Sequence, residues 1–387
     1  MRDVAIIGIG QTEVGEHWGS GLRELGAAAL QSALQDARVQ MPDLLIVGNA
    51  FGGSNSSQSN VAALVADYAG LNPVEAWGVD AADASGGAAL RAAYLAVASG
   101  SVNVAVALGV EKSSDSIAGR RIAARNVALD ADYESVHGMT LSAQAGLLMR
   151  RYMMEHGLAL DAFEGFSINA HANGNKNPNA MYRNLIKPGS FSRAPMVADP
   201  VNLFDSAPDA DGAAAVVLIA ADRARSENRR AVLIAGSAAA SDRFALQERR
   251  DPLWLDAADV SARNALAQAE TALSDIQCFE LHDSFTIMTT LALEAIGLAP
   301  RGQGWSIAAE AGAHIGLTGK TPLATFGGLK ARGNPVGATG LYQAVEAVLQ
   351  LRGEAGANQV ANARSALIQS IGGIGSTAIT HVLQAMF

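Results

Sequence analysis

Two stretches of this sequence carry the same pattern, and that repetition limits what the chain can fold into. The first is Ala81-Ala82-Asp83-Ala84-Ser85-Gly86-Gly87-Ala88-Ala89-Leu90, after which apolar residues recur at Ala93, Tyr94 and Val97. The second begins at Phe326 and passes through Gly333-Asn334-Pro335-Val336-Gly337-Ala338-Thr339-Gly340, with apolar residues at Leu341, Ala344, Val345 and Val348. In both, the apolar positions follow a leucine at the three-and-four spacing of one helix face. Both also follow a loop of Gly, Ala and Ser or Thr. The match reads as an internal duplication of a strand–loop–helix unit. Strand and helix patterns alternate in each half. The expected class is therefore α/β, with mostly parallel sheets and helices packed on their faces.

The remaining segments fit that frame. Strands are expected at Val4–Ile7, Leu44–Val47, Val102–Gly109 (alternating), Ala214–Ile219, Val232–Ala235 and Cys278–Leu281. Helices are expected over Leu22–Ala37, Val61–Tyr68, Val260–Leu273 and the stripe Leu141, Ala145, Leu148, Tyr152, stopped by Gly157. Gly8-Ile9-Gly10 invites a dinucleotide reading, but Glu13 stands where the third glycine belongs. From Glu111 to about Pro200 the texture changes to Arg, Asn, Met and His, as in a cap inserted over a sheet. The turn Asp209-Ala-Asp211-Gly212 reads as structural, since Asp bonds its own backbone in such turns. The charged run Asp222–Arg230 between two apolar strands marks the boundary: an N-terminal half over 1–222, with a loop domain inserted at about 111–210, and a C-terminal half over 231–387.

The length of 387 residues suits two large halves, and 49% apolar residues supply a core. A net charge of −9 gives no electrostatic footprint for nucleic acid. No apolar run approaches the ~18 residues of a membrane span, and the first residues read as a strand rather than a signal peptide. Cys278 is the only cysteine, which excludes an internal disulfide and a cysteine-cluster metal site and fits a cytoplasmic setting. No metal site is expected.

Two titratable residues stand out. Asp83 falls at or just before a helix N-terminus, where unpaired backbone N–H groups point outward. It can cap the helix, give a pocket polarity, move protons or, at greater cost, accept an acyl group as a mixed anhydride. His282 follows an apolar strand, and an imidazole with an ordinary pKa of about 6.5 exchanges protons near neutrality; a hydrogen-bonded structural histidine is the alternative. Asp283 is not assumed to be its partner. Cys278 reads as a small buried hydrophobe.

Taken together, these motifs resemble the thiolase superfamily over nearly the whole chain. Asp83-Ala-Ser-Gly stands at the place of Cys-x-Ser-Gly. His282-Asp-Ser-Phe stands at the place of Asn-Glu-Ala-Phe or His-Asp-Cys-Phe. Gly333-Asn-Pro-Val-Gly-Ala-Thr-Gly stands at the place of Gly-His-Pro-x-Gly-Ala-Thr-Gly, and Ser370-Ile-Gly372-Gly at the Cys-x-Gly region. Asp211-Gly-Ala-Ala-Ala-Val-Val also recurs in the family. The His-Asp form and Val136-His-Gly-Met-Thr are most similar to the sterol-carrier-protein or lipid-transfer branch. The resemblance implies duplicated βαβαβαββ halves, a five-layer αβαβα core with an inserted loop domain, and a homodimer.

The family performs Claisen condensation or its reverse on acyl-CoA, through a cysteine thiolate, an activating histidine and a second cysteine. In this chain those places hold Asp83, Asn334, and Ser284 or Ser370. The resemblance makes His282, Asp83 and Asn334 the catalytic candidates, Ser284 and Ser370 further pocket residues, and the backbone N–H groups of Asp83 and Gly372 an oxyanion hole. No permanently bound cofactor is implied, and a coenzyme A thioester serves as substrate or ligand. Lipid-transfer-like aldolases also lack the cysteines, although they carry tyrosines where this chain has His282 and Asn334. They work with a small zinc-ribbon/OB-fold partner. Three functions follow: an acyl-CoA lyase of aldol or retro-aldol type, an acetyl-CoA acetyltransferase-type thiolase, and a non-catalytic acyl-CoA or lipid-binding scaffold. Arg151, Arg183 and Lys187 read as surface charges.

Overall fold

The computed structural model describes residues 1–227 and 230–386. The chain begins β1 (Val4–Gln11), α1 (Leu22–Ala37), β2 (Leu44–Gly48), α2 (Gly52–Asn55), α3 (Val61–Tyr68), β3 (Glu75–Val79), α4 (Ser85–Ser99) and β4 (Val104–Glu111). A looped segment carries α5 (Ala118–Arg125), α6 (Leu141–His156), α7 (Glu164–Gly174) and a hairpin of β5 (Met196–Ala198) and β6 (Val201–Asn202). There follow β7 (Gly212–Ala220), α8 (Ala221–Ser226), β8 (Val232–Ser241), α9 (Asp256–Gln268), β9 (Cys278–Glu280) and α10 (Thr286–Ala295). The chain ends with α11 (Ala311–His314), α12 (Thr339–Arg352), β10 (Ser365–Gly372) and β11 (Thr377–Ala385). Residues 228 and 229, inside the charged run read as the boundary, and Phe387 lie outside the described residues.

Among the described residues, the strands from β1 to β4 and from β7 to β11 form one sheet, ordered β3-β2-β4-β7-β1-β8-β11-β10-β9. The order is symmetric about the β1–β8 contact. Outward on one side, β7 and β4 follow antiparallel, then β2 and β3 parallel. On the other, β11 and β10 follow antiparallel, then β9 parallel. Phe279 of β9 makes a parallel bridge to Leu323 where the counterpart of β3 would stand. This symmetry is the duplication seen at Leu90 and Leu341.

The expectation of mostly parallel sheets is corrected. Antiparallel pairs dominate because each half ends by folding back. β10 returns as β11 around Gly373 and Gly375, at φ 56° and 98°, and strands joined by so short a turn pair antiparallel. The alternation expected across Val102–Gly109 is also absent. Every residue of β4 is buried, since helices cover both faces. β3 was not anticipated, because its apolar signal is broken by Glu75 and Gly78.

The layering is αβαβα. α1 and α3 cover the outer face of the first set of strands. α9, backed by α10, covers the second. α4 and α12 lie between, each touching strands of both sets and each other. Leu90, Ala93, Val97, Leu341, Ala344, Val345 and Val348 are all buried there, and each leucine or valine contributes roughly 1.5–3 kcal/mol. The two helices meet at glycine: a Cβ on Gly340 would lie 2.3 Å from the Gly87 backbone nitrogen. Gly8 and Gly10 serve a similar purpose. A Cβ on either would strike α1 backbone, at 2.5 Å from Ala33 O and 2.3 Å from Ala29 O. They let α1 lie against β1, and the dinucleotide reading falls away.

Candidate active site

Both inner helices are entered through strained turns. Ala82, just before Asp83, has φ 51°, and Val336, two residues after Asn334, has φ 26°. Positive φ is uncommon outside glycine, and for a β-branched residue it is an outlier; such strain gathers at functional sites. The first turn is held by Asp80 and Ser85. Ala82 N–H donates to Asp80 Oδ1 at 2.8 Å, Ala81 N–H to Ser85 Oγ at 2.9 Å, and Ser85 Oγ–H to Ala82 O at 2.7 Å.

Asp83 is therefore released from capping. It is buried, and its Oδ1 accepts from Arg125 Nη2 at 3.0 Å, while the buried Oδ2 has no hydrogen-bond partner. Ala84 stands at the N-cap position of α4, so the helix-capping reading of Asp83 is corrected. Arg125 ends α5, and its Nη1 also reaches Asp209 Oδ1 at 2.5 Å. Burial alone would lower the guanidinium pKa; Asp209 and Asp83 outweigh it and hold the charge.

Asn334 is fully buried before α12. Thr339 Oγ1–H donates to its Oδ1 at 2.9 Å, and its Nδ2 is without an acceptor. Its backbone is laced to the Asp209 turn: Asn334 N–H donates to Pro208 O at 3.0 Å, and Ala210 N–H to Asn334 O at 3.2 Å. Asp209 thus ties the two helix entrances together, with its side chain on Arg125 and its backbone on Asn334.

His282 is fully buried, just beyond β9, with neither ring nitrogen hydrogen-bonded. Burial lowers its pKa to about 4; Asp83 opposes this, and Arg125 and Arg332 add to it. The imidazole is neutral near pH 7 and within electrostatic reach of Asp83. Asp283 points elsewhere, as its carboxylate accepts from the backbone N–H of Leu329 at 2.7 Å, on a π-helical turn over Gly328–Arg332.

A cavity of about 200 Å³ opens on this cluster. Arg125, Asp209, Asn334 and Ser284 are among its lining residues, with Ile122, Leu141, Val197 and Phe285 as apolar wall. Asp83 lies behind Arg125. Gly372 lies against the same turn, since a Cβ there would fall 2.4 Å from Ala81 O. Ser370 lies deeper, at the crossing of the two inner helices. Its Oγ–H donates to Gln343 Oε1 at 2.8 Å, and it sits at the α4–α12 crossing, beside Gly87 and Gly340. Ser370 is not among the residues lining the cavity beside Asn334.

Arg125 and Asp209 were missed from sequence. Arg125 stands 42 residues from Asp83, and nothing in the local sequence marks it as that residue's partner. Glu111 was missed as well. Its buried carboxylate accepts from Ala50 N–H at 3.0 Å, Phe51 N–H at 3.3 Å, Asn49 Nδ2 at 3.1 Å and Gly337 N–H at 3.2 Å. Burial raises its pKa to about 7 against those bonds. Asp211 is structural as expected: it accepts from Ser113 and Ser114 N–H and pairs with the buried Lys112 at 2.9 Å. Cys278 is buried, and burial pushes its thiol pKa far up. Arg151 is exposed and pairs with Glu155 on its own helix. No cluster of His, Cys, Asp and Glu among the described residues is arranged to hold a metal, and no helix among them is long and apolar enough to cross a membrane.

Comparison with known proteins agrees with this architecture. Residues 4–199 match the thiolase N-terminal domain, and residues 238–385 match a thiolase C-terminal domain-like family. An acetyl-CoA acetyltransferase of Methanothermobacter thermautotrophicus is 40% identical, covering 99% of each chain. Human sterol carrier protein 2 is 28% identical over 98% of this chain and 72% of its own length. A solved structure described as an Ltp2-ChsH2(DUF35) aldolase superposes with a TM-score of 0.85 at 22% identity, covering 99% of this chain and 98% of that one, and so shares the fold. The chain belongs to the thiolase superfamily and is similar to its sterol-carrier-protein and lipid-transfer branch.

Proposed function

We propose that this protein is an acyl-CoA lyase that breaks or forms a carbon–carbon bond by retro-aldol or aldol chemistry, without an acyl-enzyme. The carrying observation is the set of buried polar atoms left unpartnered at and behind the wall of the cavity that Arg125 and Asn334 line: both nitrogens of His282, Oδ2 of Asp83 and Nδ2 of Asn334. They supply a base, a negative charge and a donor, but no thiol. A thioester carrying a β-hydroxyl meets that set. Neutral His282 takes the hydroxyl proton, and Asp83 stabilises the imidazolium that forms. The carbon–carbon bond breaks as the β-carbon leaves as an aldehyde or ketone, and its electron pair passes to the thioester as an enolate. The amide of Asn334 and the backbone N–H groups of Asp83 and Gly372 serve the enolate oxygen. The proton on His282 then returns to the α-carbon, giving the shorter acyl-CoA. Ser284 lines the cavity beside Asn334.

Similarity to proteins named acetyl-CoA acetyltransferase supports the acyl-CoA class of substrate and keeps the transferase as the competing activity. The aldolase of the same fold is named together with a DUF35 component, which supports a small zinc-ribbon/OB-fold partner. A homodimer and a cytoplasmic setting complete the proposal. The test supplies β-hydroxyacyl-CoA, and separately acetoacetyl-CoA with CoA, to the purified protein with and without such a partner. Release of an aldehyde or ketone, lowered about a hundredfold or more in His282→Ala, is expected. Thiolysis of acetoacetyl-CoA at the rate of a cysteine thiolase would overturn the reading. Tight binding of CoA thioesters with no turnover across the panel would leave a scaffold.

A further inference from the structure

We propose that Arg125 is the positioning residue of this site: its guanidinium holds one oxygen of Asp83, keeps the other free for the reacting groups, and ties that hold to Asp209 beside Asn334. It rests on the lyase reading for its consequence in turnover but not for its geometry. Arg125 Nη2 takes Asp83 Oδ1 at 3.0 Å, and Nη1 takes Asp209 Oδ1. Asp83 Oδ2 stays buried and unpartnered. Asp209 is bridged through its backbone to Asn334. One planar fork thus spans the entrances of α4 and α12. A lysine ammonium, a single point charge, cannot reproduce that spanning geometry.

The arginine comes from α5, in the segment between β4 and β7, and it lines the cavity. The site is therefore complete only when that segment is seated. The charged groups acting on His282 are Asp83, Arg125 and Arg332, and of these Arg125 and Arg332 disfavour a protonated ring. Burial chiefly keeps the base neutral, and Arg125 adds to it while fixing the carboxylate beside it.

A thiol placed at position 83 reports on Arg125 without any turnover. In Asp83→Cys, the pH midpoint of alkylation by iodoacetamide, followed by mass spectrometry at that peptide, reads the local charge. Cys278 is buried and lies on a separate peptide. Adding Arg125→Ala is expected to raise the midpoint by about one unit or more, the size of effect a neighbouring cation has on an acidic group. Arg125→Lys in the same background keeps the midpoint low. In the otherwise unaltered protein, Arg125→Lys lowers kcat by about tenfold to a hundredfold with little change in KM. In the same protein, Arg125→Ala moves the acid limb of kcat/KM upward in pH. Equal alkylation midpoints with and without Arg125 would overturn the proposal, whatever the protein cleaves. A shifted midpoint in a protein that cleaves no acyl-CoA would leave Arg125 in place and remove the lyase reading.

Discussion

The two helix entrances are built to the same plan and secured by opposite means. Before α12, Arg332 pairs with Glu346 on the helix itself at 2.8 Å, and both side chains are 1% exposed. Asn334 is held by Thr339 and by backbone bonds to the Asp209 turn. Before α4, the charge partner of Asp83 is Arg125, which comes from the looped segment and is 17% exposed at the rim of a cavity. The α12 entrance draws its ion pair from its own stretch of chain, and that pair belongs to the core. The α4 entrance borrows its cation from a neighbour that faces solvent. The difference separates a charge that holds the fold from a charge placed for chemistry.

That contrast can be broken by substitution. Arg332→Ala leaves Glu346 buried and unpaired and is expected to cost about 3–5 kcal/mol in urea unfolding. The next effect is pH-dependent. His282 has a folded pKa of about 4, below its ordinary 6.5, so the unfolded chain binds the extra proton first. Stability is full above about pH 6.5 and falls as pH drops toward 4, by about 3 kcal/mol. His282→Gln should remove that part of the acid loss, read as the difference between variant and parent at pH 7 and pH 4. Glu111 acts in the other sense. Its folded pKa of about 7 lies above 4.5, so stability declines as pH rises between those values, and Glu111→Gln should flatten that decline. Arg125→Ala should cost less than Arg332→Ala, about 2 kcal/mol; an equal cost would erase the distinction between the entrances. The smallest effect is Ser370→Ala, which loses the bond to Gln343. About 1 kcal/mol is expected, with turnover unchanged.

Much of the frame was legible in the residues, because it is written in helical spacing. Leu22–Ala37 and Val61–Tyr68 are helices over those very spans, and Gly157 ends α6 in a left-handed cap at φ 65°. Strand direction was not legible. A strand buried on both faces, such as β4, looks alike whether its neighbour runs with it or against it. Of the site, the backbone positions were accessible through the motifs, and His282, Asp83 and Asn334 do gather in one region. The partners were not. Arg125 lies 42 residues from Asp83, and no local pattern tells which surface-looking arginine turns inward. Ser370 shows the same limit: a motif fixes where a residue sits along its strand, whereas the packing of Gly87 and Gly340 decides which neighbours its hydroxyl meets.

The contact between α4 and α12 is made through Gly86, Gly87 and Gly340, backbone against backbone. It sets the positions of the two helix starts without consulting the side chains at 83 and 334. Such a joint works as a socket: sulfur, carboxylate or amide can be fitted at either start while the bearing beneath them stays the same. Chemistry can then be exchanged faster than architecture, and a change of reaction needs only new tips and a nearby counter-charge.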